Sequence, residues 1–300
     1  MKKISLILSG LILVISSLNV TAQEKKESLI NDGIYIRETI PQRTPVPYPP
    51  LREADMMWTK RIWRIIDLRE KLNYPLYYPT TRMQDRISLV QRLVDAIKYN
   101  EISAYDPDVD DEFTTLLSYD QVEKNFGAQD DSSVQVSPIT GRDTVIKIQG
   151  MFRWQDVKEL LIKEEWFFDK QHSSLQVRII GICPIKHTFQ SLNVAGDGSD
   201  SGGEEASSQI NREQLFWVDF NEARKVLANT AVFNNFNDAQ RISFDDLFFK
   251  RRFSSYITKE SNVYDNRDIK LYTLGGIPNM QESDRIKNDI FTFEHDLWEY

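Results

Sequence analysis

The chain has a single long apolar stretch, and it lies at the very start. Lys2 and Lys3 precede an apolar run from Ile4 to Ile15, and the residues Val20-Thr21-Ala22 follow it. A basic start, about a dozen apolar residues and a small-residue site are typical of a secretory signal peptide, whereas a membrane-spanning helix needs roughly 20 apolar residues. We therefore expect residues 1–22 to be a signal peptide cleaved after Ala22. An uncleaved N-terminal anchor is the alternative.

An exported chain of this composition must fold without covalent crosslinks. Cys183 is the only cysteine, so the chain has no internal disulfide and lacks the cysteine that a lipid-anchored bacterial precursor needs at its cleavage site. The run Val177 to Ile185 around it is mostly apolar, which favours a buried thiol. We expect a soluble product with no membrane span, in one or two domains, whose core draws on 34 aromatic residues.

The charge balance argues against one class of partner. The formal net charge is -8, and loss of Lys2 and Lys3 with the leader changes it to -10. A general nucleic-acid binder shows a basic face instead. The run Lys250-Arg251-Arg252 is more typical of a solvated surface, so we expect no nucleic-acid partner.

Residues 23–52 lack helical or strand periodicity. The second half of this segment contains five prolines and one aromatic residue, at Pro41, Pro45, Pro47, Tyr48, Pro49 and Pro50. Each proline fixes its own φ and moves the preceding residue out of the helical region, so Thr44 to Pro50 is biased toward polyproline II. We expect an extended proline-rich arm that is either a semi-rigid spacer or a strap lying on a partner.

The remaining globular region, 53–300, is predicted to begin with a helical part, 53–127. Within the run Glu53 to Asn73, apolar residues recur with the period of an amphipathic helix. They are Trp58, Ile62, Ile65, Leu68 and Leu72. A second helix is expected from about Met83 to Lys98, capped by Thr80 or Thr81. Together they predict an N-terminal helical hairpin packed on a mixed body.

The mixed part, 143–300, alternates β-prone and helical runs and predicts an α+β fold. Strands are expected at Thr144 to Ile148, Trp166 to Phe168, Leu175 to Ile185 and Leu215 to Phe220. Helices are expected at Trp154 to Ile162, Asn221 to Leu227 and Phe244 to Phe253, with a C-terminal helix from about Gln281 to Trp298. Residues 190–212, with almost no apolar content from Ala195 to Glu205, are predicted to be a flexible loop.

The sequence offers little catalytic chemistry. Its three histidines, His172, His187 and His295, are too widely spaced for a local metal site. The acidic run Asp106 to Glu112 resembles a calcium loop, but Asp111 stands where the turn needs glycine and Leu117 where a bidentate glutamate is needed. A solvated acidic loop is favoured over adventitious calcium binding. No nucleophile elbow or phosphate-binding glycine loop occurs, so we expect no catalytic site, metal or cofactor.

An aromatic block flanked by charge stands out instead. Phe244 to Ile257 contains four phenylalanines and a tyrosine in fourteen residues, and a helix drawn through it has apolar residues on more than one side. One side is expected to meet the core. The other is either an interface, where aromatic residues and arginine are favoured, or is itself buried within the domain.

Three blocks of the sequence resemble the GldN/PorN family of gliding-motility and type IX secretion proteins of Bacteroidota. They are ADMMWTKRIWRIIDLREKLNYPLYYP (Ala54 to Pro79), SFDDLFFKRRFSSYITKESNVYDNRDI (Ser243 to Ile269) and RIKNDIFTFEHDLWEY (Arg285 to Tyr300). The resemblance extends through most of the chain after the leader. It implies a non-enzymatic periplasmic scaffold that forms a ring beneath the outer membrane with the lipoprotein GldK/PorK. It also implies a link to the inner-membrane motor through the periplasmic part of GldM/PorM.

Ring-forming subunits need two complementary, non-identical contact surfaces, or a partner that supplies them. We hypothesise that the arm and the exposed side of the aromatic block are such surfaces. The candidate partner-binding residues are Pro45, Pro47, Tyr48, Pro49, Pro50, Phe248, Phe249, Arg251, Arg252 and Tyr256.

A periplasmic carbohydrate- or peptidoglycan-binding or -cleaving protein is the alternative function. It predicts a monomer with a cleft lined by Trp154, Trp166 or Trp217 and convergent carboxylates. The scaffold interpretation predicts no such cleft and a dependence on a partner protein.

Overall fold

A computed structural model describes residues 42–83, 86–109, 111–128, 131–136, 143–148, 152–190, 209–234, 237 and 239–297, with 131–136, 143–148, 189–190 and 209 described by their backbone alone. The expectations for the signal peptide (1–22), the first part of the arm (23–41) and most of the loop (191–208) lie outside these residues. All described residues belong to one compact unit, Thr39–Tyr300. No helix among them is long and apolar enough to cross a bilayer.

One large antiparallel sheet organises the fold. The strands of the described residues are β1 (Met56–Asp67), β2 (Ala104–Tyr105), β3 (Leu116–Leu117), β4 (Asp131–Val136), β5 (Asp143–Ile148), β6 (Val157–Asp169), β7 (Ser174–Gln190), β8 (Gln209–Gln214), β9 (Trp217–Asp219), β10 (Ala231–Val232), β11 (Ile242–Ser243) and β12 (Tyr256–Glu260). In the large sheet they lie in the order β12-β1-β6-β7-β9-β2-β3, and β8 also pairs with β7. Two further pairs, β4 with β5 and β10 with β11, form separate ribbons.

The described residues include six α-helices. These are α1 (Tyr74–Tyr77), α2 (Leu89–Lys98), α3 (Tyr119–Phe126), α4 (Phe220–Ala228), α5 (Phe244–Phe249) and α6 (Gly276–Asp296). Residues of α2, α3, α4 and α5 form the main core with residues of β1, β6 and β7. The fold is therefore α+β, as the sequence predicts.

The predicted N-terminal helical hairpin is wrong, because its first helix is strand β1. This strand lies between β6 and β12 and pairs with both. Ile62, Trp63, Ile65 and Ile66 are all buried, so its second half is covered on both faces of the sheet. A strand buried on both faces loses the alternation that identifies strands, and its apolar residues then match a helical period by coincidence.

Strand β6 explains a second error of the same kind. The helix predicted at Trp154 to Ile162 is a 3-10 turn, Trp154–Asp156, followed by the strand. Val157, Leu160, Leu161 and Ile162 are all buried on the two faces. The other β-prone runs fall within or overlap β5, β6, β7 and β9, although Phe220 already begins α4.

The remaining helix predictions are confirmed in position and corrected in extent. Helix α2 begins only after Ser88, whose Oγ accepts a hydrogen bond from the Gln91 amide, so neither Thr80 nor Thr81 is its cap. Helix α5 ends at Phe249, and α6 starts five residues before the predicted Gln281. Strand β8 takes the last residues of the predicted loop 190–212.

Cys183 gives the first testable prediction. Its side chain is fully buried against β6 and β9 residues, and burial raises the pKa of the thiol. The thiolate is the reactive species, so we expect a thiol reagent such as DTNB to leave the native protein unmodified. One thiol per chain should react in denaturant, and rapid modification of the native protein would show that this part of the core opens readily.

Candidate partner interface

The described part of the arm lies against its own chain. Arg178 of β7 donates a hydrogen bond from Nη2 to the carbonyl oxygen of Pro49 at 2.6 Å, and Arg224 of α4 donates one to the carbonyl oxygen of Val46 at 2.6 Å. Arg43 also forms an ion pair with Asp246. An extended proline-rich segment has few internal hydrogen bonds, so its carbonyl groups are free to accept these donors.

Tyr48 brings the two predicted contact regions together. Its ring lies 6.2 Å from the ring of Phe249, centroid to centroid. The guanidinium carbons of Arg224 and Arg178 lie 4.2 and 5.1 Å from the Tyr48 centroid. Burial raises the pKa of the Tyr48 hydroxyl. The arm and the aromatic block therefore form one continuous surface, which we call the arm site.

A buried ion pair supports the arm site from below. Arg224 Nε lies 2.8 Å from Asp245 Oδ1, and the two side chains are only 6% and 8% exposed. The guanidinium thus neutralises a buried carboxylate, holds the Val46 carbonyl and covers the Tyr48 ring. Arg178 and Arg224 have no signature in the sequence, because no local pattern indicates that they meet residues more than 120 positions away.

The aromatic block divides between core and surface. Phe244, Leu247 and Phe248 are at most 3% exposed and belong to the main core, so Phe248 is not available to a partner. Phe249 is 52% and Tyr256 is 40% exposed. The block is therefore buried at Phe244, Leu247 and Phe248 and exposed at Phe249 and Tyr256, where a contact with a partner stays a prediction.

The two neighbouring arginines of the block have different environments. Arg252 is exposed. Arg251 turns inward, where Nη2 lies 2.9 Å from Glu164 Oε1 and donates to Oε2 at 3.2 Å. The indole Nε1 of Trp166 donates to the same Glu164 oxygen at 3.0 Å. Glu164 is completely buried, so Arg251 supports the core beside the arm site.

The residues considered for metal binding have protein partners instead. Asp111 lies between Lys163 and Lys259, whose Nζ atoms are 3.7 and 3.6 Å from its carboxylate oxygens. His172 contacts Asp169, and His187 lies near Glu159. Asp110 lies outside the described residues, and among the described ones no cluster of three ligands could hold a metal ion.

A cleft of about 810 Å³ opens on the sheet face opposite the main core. Ile65, Leu161 and Ile185, from three neighbouring strands, line its floor, and the first turns of α6 form one wall. Trp217 and Trp63 line it, but Trp154 and Trp166 do not. Trp154 stacks on Phe152 beside a second cavity of about 620 Å³. The structure thus has a cleft lined by Trp217 and by carboxylates, which the scaffold interpretation predicts to be absent.

The family model of the gliding motility associated protein GldN matches residues 51–299. The chain belongs to the GldN family. The match includes every strand and helix described above, and it begins directly after the prolines of the arm. No curated protein matches the chain. Membership of the GldN family confirms the resemblance in the three sequence blocks and makes the chain a gliding motility associated protein.

Proposed function

We propose that this GldN-family chain is a non-enzymatic structural subunit of the gliding and type IX secretion machinery. In this proposal it is exported to the periplasm and assembles with a GldK/PorK-like outer-membrane lipoprotein into a ring. Copies of the chain associate with one another in the ring, which is coupled to the motor through the periplasmic part of a GldM/PorM-like protein. The observation that carries the proposal is the family match over residues 51–299.

The surface of the molecule supports an assembly role. Between β12 and the second turn of α6, six large apolar side chains are each at least 64% exposed, at Val263, Tyr264, Leu271, Leu274, Ile277 and Met280. So many exposed apolar residues within eighteen positions of the chain favour contact with another protein. The arm site lies elsewhere on the chain, and two distinct surfaces are what a ring subunit requires.

The carbohydrate alternative lacks a stacking surface in the cleft. Sugar rings stack on open aromatic faces, but Trp63 and Trp217 are only 3% and 1% exposed. Lys259 Nζ lies 4.3 Å from the Trp63 ring centroid, and the Phe113 ring packs edge-on against Trp217. These two tryptophans therefore favour a role in the wall of the cleft over one as a sugar platform.

A pull-down of residues 23–300 against the lipoprotein of the same system, followed by sizing of the complex, tests the proposed function. A very large assembly is expected. A monomer that binds no lipoprotein would contradict the proposal.

The same assay tests the arm. Deletion of residues 24–51 removes the strap that covers Phe249 and Arg224 but leaves every described strand and helix in place. We therefore expect a folded protein, as judged by circular dichroism, with impaired assembly. The variants Pro47→Ala and Pro49→Ala in the intact chain are the milder comparison. Assembly at the intact level by the deletion variant would show that the arm is not a contact surface.

A further inference from the structure

Three residues that line the cleft on the second sheet face have buried polar atoms that no described residue satisfies. Glu159 is 1% exposed, and its Oε2 has no hydrogen-bond partner among the described residues. The indole Nε1 atoms of Trp63 and Trp217 also lack an acceptor within the described part of the chain. All three residues line the same cleft. Buried polar groups are normally paired, because leaving one unpaired costs free energy.

The other carboxylate oxygen of Glu159, Oε1, lies near two nitrogen atoms at ion-pair distance. His187 Nε2 and Arg212 Nη2 each lie 3.4 Å from Oε1. Tyr256, which also lines the cleft, has its pKa raised by burial and by the Glu159 charge. The carboxylate is therefore weakly solvated, and a hydrogen-bond donor brought by a ligand would interact strongly with it.

The rest of the cleft defines what surrounds that donor. The floor is apolar, and about 810 Å³ is within the range of ligand sites, roughly 300 to 1,000 Å³. Five carboxylates line the cleft against three cationic side chains. Each cation is ion-paired with one of these carboxylates, so it is the remaining excess of negative charge that favours a ligand with positive charge. The lining carboxylates are Asp111, Glu112, Glu159, Asp268 and Asp284, and the cations are Arg212, Lys259 and Lys270.

We propose that this cleft binds a short peptide segment that has apolar side chains and one basic residue. A peptide backbone supplies carbonyl acceptors for the two indole N–H groups, and the basic residue supplies a donor for Glu159. Its apolar side chains fill the floor formed by Ile65, Leu161 and Ile185. This binding activity is additional to the proposed assembly role and does not depend on ring formation.

Isothermal titration of residues 23–300 with three probes tests the inference. The probes are Ac-Leu-Val-Lys-Val-Leu-amide, the same peptide with glutamate in place of lysine, and octylamine. We expect saturable one-site binding of the basic peptide and at least tenfold weaker binding of the acidic peptide, about the effect of one charge-assisted hydrogen bond. Absence of binding by the basic peptide, or equal binding of the two peptides, would overturn the inference. If octylamine binds as tightly as the basic peptide, the site does not bind a peptide backbone and the inference also fails.

Three variants locate the binding. Glu159→Gln should weaken the binding of the basic peptide about tenfold and leave the affinity for the acidic peptide unchanged. Met280→Arg places a cation at the edge of the cleft and should also weaken the binding of the basic peptide about tenfold. Ile277→Arg, one turn away on the same helix, is its matched control, because Ile277 is similarly exposed, at 73% against 69%, but does not line the cleft.

The exposed helix variants keep the test decisive if Glu159→Gln fails to fold. Equal affinities of Met280→Arg and Ile277→Arg for the basic peptide would place any binding elsewhere and overturn the inference. The lipoprotein pull-down is a separate readout, so the failure of peptide binding and the failure of ring assembly are distinguishable.

Discussion

Replacing Arg251 by alanine is expected to destabilise the protein by about 3 kcal/mol. The substitution leaves the completely buried Glu164 carboxylate without its cationic partner, and removing one member of a buried ion pair costs about 3 to 5 kcal/mol. We take the lower end because 30% of the Arg251 side chain is exposed, which lets solvent screen part of the interaction. The free energy of unfolding in urea, compared at constant m value, measures the effect.

The neighbouring residue is a matched control. Arg252 is exposed, and its replacement by alanine should change the free energy of unfolding by no more than about 0.5 kcal/mol. The variant Arg251→Ala combined with Glu164→Gln should recover part of the loss, because the neutral amide costs less to bury than an unpaired carboxylate. Equal effects of Arg251→Ala and Arg252→Ala would show that the Glu164 pair contributes nothing.

The backbone of Arg251 adds a second comparison. Its φ of 50° lies in the left-handed region, which costs an ordinary residue roughly 1 kcal/mol and glycine very little. Arg251→Gly loses the same ion pair as Arg251→Ala but adopts this conformation freely. We therefore expect the glycine variant to be more stable than the alanine variant by about 0.5 to 1 kcal/mol. The order would reverse if the loop rearranges once the arginine is lost.

The central strands show where sequence periodicity stops being informative. Helices α4 and α6 each bury one face, so their 3.6-residue period is visible in the sequence and their positions are predicted within a few residues. The two faces of β1 and β6 are covered by a helical layer and by distant residues, among them Tyr105, Phe113 and Ile269. What covers a strand is decided by distant parts of the chain, and only the β-branched and aromatic content of β1 pointed to a strand.

The arm site shows the same division between local and long-range information. Proline content alone predicts an extended arm, and aromatic density alone draws attention to Phe249. The stacking of Tyr48 on Phe249 depends on two arginines that hold the arm, Arg178 of β7 and Arg224 of α4. The roles of Glu164 and Glu159 likewise cannot be predicted from the sequence, because one acidic residue among 45 has no local signature.

Replacing Arg224 by alanine is expected to lower the free energy of unfolding by about 3 to 5 kcal/mol, more than the replacement of Arg251 does. Both members of the Arg224–Asp245 pair are nearly inaccessible to water, so solvent screens this pair less than the Arg251 pair. The substitution also removes the hydrogen bond to the Val46 carbonyl and the cationic group over the Tyr48 ring. The arm should therefore detach. Urea unfolding measures the stability, and the rate of tryptic cleavage after Arg52 under native conditions measures the detachment.

Arg178→Ala separates detachment from loss of stability. Arg178 donates to the Pro49 carbonyl oxygen and covers the Tyr48 ring, but among the described residues it forms no ion pair with a buried carboxylate like the one between Arg224 and Asp245. Its loss should cost only about 1 kcal/mol, the contribution of one hydrogen bond, and still accelerate cleavage after Arg52. If cleavage is faster only in Arg224→Ala, the arm is released by general destabilisation. If both variants are cleaved faster, the two arginines hold the arm on the body directly. Assembly can then be measured in Arg178→Ala, because this variant keeps the core intact.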